Sequence, residues 1–307
     1  MYNTRIAPSP TGDMHMGTAR TAYFNWLIAR STGGEFIVRI DDTDLNRNDE
    51  NKVTDIIKVI DWMGLDYNFL IRQSDRFDRY QEIAEALIKM ETAIRLDDGA
   101  VLLQLNEGYR SAYNSYWTDK IVGNINIKND DYDYVATMPI IKSNGSPTYN
   151  FASVIDDIDF EINYIVRGID HQKNTSKQIQ LYYLFIFLQS FRKDLFSQKI
   201  LIPDYAHLGL LFKDKKKLSK RDGAASMIGY LESGVDPDAM LNFLLRLGWG
   251  PTKDDKSTSI LSKEKTLELF LTQGKMRSSP ANVDLIKLDS FDRKYKGRKR
   301  KKDGDLE

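Results

Sequence analysis

Four segments at the amino terminus alternate in a way that leaves few folds open. Residues 4–7 form a short apolar-polar stretch that runs straight into Pro8-Ser9-Pro10-Thr11-Gly12, a strand ending in a turn-rich loop. Residues 18–30 carry Ala22, Trp26 and Ala29 at helical spacing, with Phe24, Leu27 and Ile28 beside them. That pattern predicts an amphipathic helix that is nearly buried. Gly33-Gly34 stops it, and Glu35-Phe-Ile-Val-Arg-Ile40 reads as a buried second strand. Helices are expected over about 49–63 and 79–94. Strand, helix, strand, helix implies an α/β chain with a parallel sheet and crossover helices.

Residues 95–135 break the rhythm. Short alternating runs there, Val101-Leu-Leu-Gln-Leu105 and Asn124-Ile-Asn-Ile127, predict an inserted module containing strands. The α/β pattern resumes over 148–168, and an apolar helix is expected at 175–189. Residues 227–248 read as one helix, with Leu241, Leu244, Leu245 and Leu247 feeding a core. A linker is expected at 251–258. Residues 293–302 hold eight basic side chains in ten, which reads as a disordered tail that either solubilises the chain or neutralises phosphates.

Composition narrows the chemistry. The 307 residues carry 44 basic and 44 acidic side chains, so any polyanion must be met by a local patch rather than by overall charge. With no cysteine, disulfides and thiolate zinc sites are excluded. The histidines are His15, His171 and His207, too few for an imidazole cage, so no zinc or other resident metal is expected. Mg²⁺ delivered with a nucleotide needs only oxygen ligands. No apolar run is long enough to span a bilayer and the first residues are not a signal peptide, so the expected setting is cytoplasmic, away from membranes.

Two short motifs carry chemistry. His15-Met-Gly17 follows the first loop and opens the first helix, whose free N–H groups and dipole favour anions. Gly17 allows close approach to the backbone, and His15 can donate to a phosphate oxygen. Taken alone, the motif is more often a plain strand–turn–helix with a surface histidine. Asp214-Lys-Lys-Lys-Leu-Ser-Lys-Arg-Asp-Gly223 is a lysine-rich loop that can neutralise a triphosphate, or a solvated basic turn.

Taken together, and in order, these segments resemble the glutamyl-tRNA synthetases of class I. Residues 5–18 look like the region of the "HIGH" motif preceded by Pro-Ser-Pro-Thr-Gly, and Lys217-Leu-Ser-Lys-Arg221 resembles the "KMSKS" loop in its glutamyl variant. Between them lie Val38-Arg-Ile-Asp-Asp-Thr-Asp44, Gln73-Ser-Asp-Arg76, Pro147-Thr-Tyr-Asn-Phe-Ala152, Val166-Arg-Gly-Ile-Asp-His171 and Asn174-Thr175; Leu241-Asn-Phe-Leu-Leu-Arg-Leu-Gly-Trp249 follows. The similarity covers about 3–94 and 136–285.

The resemblance implies a Rossmann-like nucleotide-binding sheet built from residues 1–94 and 136–250. A shortened acceptor-end module would occupy 95–135, a partial helical stem-contact region 251–290 and the basic tail 291–307, with no anticodon-binding domain. It implies a monomeric ligase that uses ATP and Mg²⁺ to activate L-glutamate and passes it to a tRNA, expected to be tRNA-Glu. His15, Gly17, Thr18, Asp170, His171, Lys217, Ser219 and Lys220 match the ATP site, with His15, Lys217 and Lys220 acting on the phosphates. Arg5, Ala7, Ser9, Asp41, Tyr149 and Arg167 match the glutamate site, where an Arg167 fork suits a carboxylate and rejects an amide. A structural ion pair of Arg167 with Asp156 or Asp157, and core packing of Tyr149, are the competing roles. Asp41 stands where the family usually has glutamate, Ile169 where it commonly has an acid, and Ser176 where it commonly has proline. Glutamylation of a modified tRNA base, or a regulatory protein that has lost turnover, are the rival functions.

Overall fold

A computed structural model of the chain describes residues 1–105, 116–213, 216–218, 226–251 and 260–304. Strand β1 (Thr4–Ile6) leads into helix α1 (Met16–Thr32), then β2 (Phe36–Ile40), α2 (Glu50–Trp62) and β3 (Phe69–Arg72). These strands form a parallel sheet in the order β1-β2-β3, in which Arg5 pairs with Ile37 and Ile37 with Phe69. Helix α3 (Phe77–Lys89) ends earlier than the sequence pattern implied. Glu91 adopts positive φ, and the chain turns into strand β4 (Ala93–Arg95). That strand pairs antiparallel with β5 (Val101–Leu103), so Ile94 belongs to a sheet and not to a helix.

The expected module at 95–135 is divided between two sheets. Strand β5 also pairs with β8 (Pro139–Ile141), giving a small antiparallel sheet, β4-β5-β8. By contrast, β6 (Tyr116–Asp119) and β7 (Gly123–Asn126) form a hairpin that joins the main α/β region. Residues Asn129–Ala136 form helix α4, which the sequence reading did not anticipate.

The second half supplies helix α5 (Tyr149–Asp159), β9 (Tyr164–Gly168), helix α6 (Gln172–Phe191) and β10 (Asp204–Leu208). Strands β9 and β10 are parallel, with Arg167 opposite His207, and the sheet order is β7-β6-β10-β9. The two sheets abut where the Asn163 and Tyr164 amides donate to the Asn3 carbonyl. Asn25 of α1 bridges the seam: its side-chain amide donates to the Val166 carbonyl and accepts from the Val166 amide.

Strand alternation sorts the side chains. Ile6, Phe36, Val38, Ile40, Val166, Ala206 and Leu208 pack into the same buried cluster as α1. Ile37, Ile165 and Tyr205 face the other way and meet Ile179 of α6. Arg5, Arg39, Arg167 and His207 occupy the same alternate positions as this second set, so one buried sheet face is basic.

Short strands β11 (Leu211–Lys213) and β12 (Lys216–Lys217) pair antiparallel. The single helix expected at 227–248 is two: α7 (Met227–Glu232) and α8 (Pro237–Arg246). Gly234 sits at φ 72°, a backbone state that costs glycine little, and Asp236 caps the second helix ahead of Pro237. The linker expected at 251–258 falls largely outside the described residues. Strand β13 (Trp249–Pro251) pairs with β14 (Gly274–Met276) around helix α9 (Lys263–Phe270), and β15 (Ala281–Asn282) pairs with β11. The expected disordered tail is corrected: residues Leu285–Gly304 form helix α10. Leu288 and Tyr295 are buried, the Tyr295 hydroxyl donates to the Leu261 carbonyl, and Lys299 pairs with Asp236 and Asp238. These anchors hold a helix whose composition alone suggested a solvated coil. Among the described residues no helix is long and apolar enough to cross a membrane.

Candidate active site

The carboxyl ends of β1, β2, β3 and β9 open onto a cavity of about 750 Å³, the location where parallel α/β sheets bind ligands. Those strand ends and the loops after them, with the starts of α1 and α5 and strand β12, bring together Arg5, Ala7, Ser9, His15, Gly17, Thr18, Asp41, Tyr149, Arg167, Asp170, His171 and Lys217 on its walls. Ser219 and Lys220, also assigned to the nucleotide site, lie outside the described residues.

At one end His15 caps α1. The Thr18 amide donates to His15 Nδ1 at 3.2 Å, which leaves the proton of the neutral ring on Nε2. The Thr18 hydroxyl lies 3.3 Å from Nε2. Gly17 permits this arrangement, since a Cβ there would sit 3.0 Å from His15 Cε1. The close approach that Gly17 was expected to grant a ligand is therefore used by the chain's own imidazole. Lys217 extends its ammonium to Asp170, 3.2 Å away, and both side chains are about half exposed. Burial disfavours charge on Asp170, but His171 and Lys217 hold its carboxyl below the usual range. His171 is pushed down to about 4, first by burial and then by the Arg167 charge, so its ring is neutral.

The other end is a buried ion network. Arg5 donates from Nε and Nη2 to the two oxygens of Asp157, at 3.0 and 3.1 Å. Arg39 reaches the same carboxylate at 2.8 Å and grips Asp41 with Nε and Nη2, at 2.7 and 3.2 Å. Asp156 accepts from Gln73, Arg76 and Tyr80. Asp41 is raised to about 6: burial dominates and the attraction of Arg39 offsets only part of it.

Arg167 does not form the ion pair with Asp156 or Asp157 considered from sequence. Its Nε donates to His207 Nε2 at 3.2 Å, and its Nη2 to Thr175 Oγ1 at 2.5 Å and Gln178 Oε1 at 2.9 Å. All three acceptors are neutral when His207 is, and burial holds that ring below the usual imidazole range. Nη1 is buried and has no partner among the described residues. The guanidinium thus lines the cavity with its charge uncompensated by a directly bonded carboxylate. Tyr149 opens α5, is 38% exposed and lies 6.3 Å from the His171 ring, which rules out core packing.

Several wall residues had no assigned role. Arg20 is buried, donates to the Leu247 and Gly209 carbonyls, and is lowered to about 10 by burial. Thr43, Asp44, Arg47, Gln73 and Lys142 also line the space. Arg39 carried a usable signal: an arginine inside Phe36-Ile-Val-Arg-Ile40 must find buried carboxylates. Lys142 and Arg20 carried none, since only the fold brings them to the cavity.

The sequence model for tRNA synthetases class I (E and Q), catalytic domain, matches residues 1–100 and 108–294. The chain belongs to that family. A glutamate–tRNA ligase 2 from Neorickettsia sennetsu is 39% identical over 300 residues, covering 95% of this chain and 65% of that protein. A glutamate–tRNA ligase from Nitrosomonas eutropha is 34% identical over 330 residues, covering 96% and 67%. The chain therefore spans about two thirds of the length of the curated relatives it matches. A solved glutamate tRNA ligase from Elizabethkingia meningosepticum, in complex with its amino acid, shares the fold with a TM-score of 0.75 and 23% identity, over 96% of this chain and 69% of that one.

Proposed function

We propose that this chain is the catalytic part of a glutamate–tRNA ligase, which activates L-glutamate with ATP and transfers it to the 3′-terminal adenosine of a tRNA. The observation that carries the reading is Arg167, a buried guanidinium on the cavity wall with Nη1 unpartnered. A side-chain carboxylate supplies the two acceptors that such an edge lacks, whereas a neutral amide offers one acceptor and a misplaced donor. Asp41, pre-positioned by Arg39, receives the α-ammonium. The α-carboxylate then attacks the α-phosphate of ATP, forming glutamyl-adenylate and expelling pyrophosphate, and a ribose hydroxyl of the terminal adenosine afterwards attacks the acyl carbon and expels AMP. His15 Nε2–H and the Lys217 ammonium, once released from Asp170, stabilise charge growing on the phosphate oxygens. Among the described residues no group of three or more acidic or imidazole ligands forms a metal cage. Mg²⁺ carried in by the nucleotide would find an oxygen donor in Asp170 and would there neutralise phosphate charge.

The RNA contact is assigned to the outward side of α10, where Arg293, Lys294, Arg298 and Arg300 are exposed while Tyr295 faces inward. Each phosphate neutralised releases counterions, so binding falls steeply with salt.

Glutamate-dependent ATP–pyrophosphate exchange, with and without tRNA, tests the reading. Exchange with glutamate and not glutamine, followed by charging of tRNA-Glu, is the expected result. Exchange without charging of bulk tRNA indicates another acceptor, such as a modified base. No exchange under any condition overturns the proposal.

A further inference from the structure

We infer that Asp119 and His207 are positioning residues that lock the Arg167 guanidinium in place and leave its Nη1 edge for the substrate carboxylate. The inference rests on the proposed glutamate site and adds residues that none of the motifs above contains in a functional role.

The geometry is a relay of three buried groups. Asp119 ends β6, and the hairpin turn that follows fixes its carboxylate: Oδ1 accepts from the Ile121 and Val122 amides, each at 2.8 Å. Oδ2 faces His207, accepting from the backbone amide at 3.1 Å and lying 2.5 Å from ring Nδ1. A carboxylate accepts only, so the ring proton is on Nδ1 and Nε2 presents a lone pair. That lone pair meets Arg167 Nε at 3.2 Å and the Thr175 hydroxyl at 3.0 Å. Strand register makes the contact inevitable, because His207 and Arg167 are directly opposed on adjacent parallel strands. Trp117 seals the arrangement: its indole donates to Ser176 Oγ at 3.2 Å and its ring lies 5.7 Å from the imidazole. Ser176, which stands where the family commonly has proline, thus ties the hairpin to α6.

Counting donors gives the consequence. Arg167 has five N–H groups; Nε and both hydrogens of Nη2 are engaged, and Nη1 is not. If the imidazole carried its proton on Nε2, two donors would face each other and the guanidinium would rotate away. The role is therefore orientation, with no contact between Asp119 or His207 and substrate required.

Three variants test this. In Asp119→Asn the two turn amides keep the oxygen on the Oδ1 side, so the new NH₂ faces His207, loses the bond from its backbone amide and forces the opposite tautomer. The expected result is a rise in glutamate KM of about 10–100-fold, the worth of one hydrogen bond to a charged group, with ATP KM within about threefold of wild type. His207→Gln places an acceptor near the Nε2 position, whereas His207→Asn places only a donor near Nδ1. The first should therefore lose far less glutamate affinity than the second. Equal losses in both, or parallel rises in glutamate and ATP KM, would reduce the pair to a structural role and overturn the inference. Nitrogen-15 spectra of the intact chain read the tautomer without activity, since only three histidines contribute. A neutral His207 with Nδ1 protonated is expected, together with an Arg167 Nε–H that exchanges slowly and becomes fast-exchanging in His207→Asn. An Nε2–H tautomer in the wild type sinks the inference even if glutamate is the substrate. Correct spectra in a chain that does not exchange glutamate would fault the function proposed above and leave the relay standing.

Discussion

The two ends of the cavity are built on opposite principles. At the arginine-rich end, Arg5, Arg39, Asp41 and Asp157 are all buried and each is held by at least one two-point contact. Such groups tolerate removal from water only as a set, because charge left unpaired in the interior is costly. At the α1 end, His15 is held by its own helix cap and Lys217 by a single half-exposed ion pair. Water screens that pair, and its partners separate at little cost. The difference suits the two tasks of the proposed function. A small amino acid must be distinguished by fixed geometry, whereas a triphosphate needs positive charge that closes on it and then lets go of pyrophosphate.

The sharpest way to break this comparison is to remove the shared carboxylate. Asp157→Ala strands both Arg5 and Arg39, and urea unfolding should show a loss of about 3–5 kcal/mol. A loss near that of a surface substitution would mean that the network is not a unit. Next in size, Arg167→Lys keeps the charge but loses the fork. Glutamate kcat/KM in pyrophosphate exchange should fall about 10–100-fold with ATP KM unchanged. Unaltered preference for glutamate over glutamine would remove Arg167 from recognition.

A smaller effect concerns pH. In its proposed role Asp41 must be charged to hold an ammonium, and burial raises its carboxyl to about 6, so glutamate KM should rise below pH 6, by about tenfold per unit once well below it. The folded carboxyl here lies above its unfolded value. Between about 6 and 4 the native state binds the extra proton, so this group's effect on stability becomes more favourable as pH falls. Weaker binding at pH 5.5 without a fall in melting temperature would thus locate the effect at the site. Asp41→Asn should flatten the profile, and an unchanged inflection would assign it to another group. The least effect on stability belongs to Lys217→Ala, within about 0.5 kcal/mol of wild type in unfolding, while exchange kcat drops several-fold. Comparable losses in stability and turnover would erase the distinction between the two ends.

Much of the site was legible because class I chemistry is written in short contiguous runs. His15-Met-Gly17 and Val166-Arg-Gly-Ile-Asp-His171 each place several wall residues at the end of one strand, so local order already implied proximity. Elements joined by long-range pairing were less legible. The run 79–94 is apolar at helical spacing to its end, yet Ile94 sits in a strand because β5 lies beside it. Residues 293–302 looked unstructured because eight charges dominate the composition. Helical order there depends on Tyr295 and Lys299 finding Leu261 and Asp236, far earlier in the chain. The hairpin 116–126 was assigned to an insertion by its sequence position, whereas its pairing with β10 makes it part of the wall behind Arg167.

Sequence by itself determined the parallel α/β scaffold, the family and the end of the sheet where ligands bind, because periodicity and contiguous motifs are local and survive without coordinates. Only the tertiary structure decided the partners of Arg5, Arg39 and Arg167, the carboxylate that faces His207 and the fate of the basic tail. Those depend on which buried donors meet which acceptors across strands far apart in the chain, and a hydrogen-bond inventory closes only when every group has been brought into place.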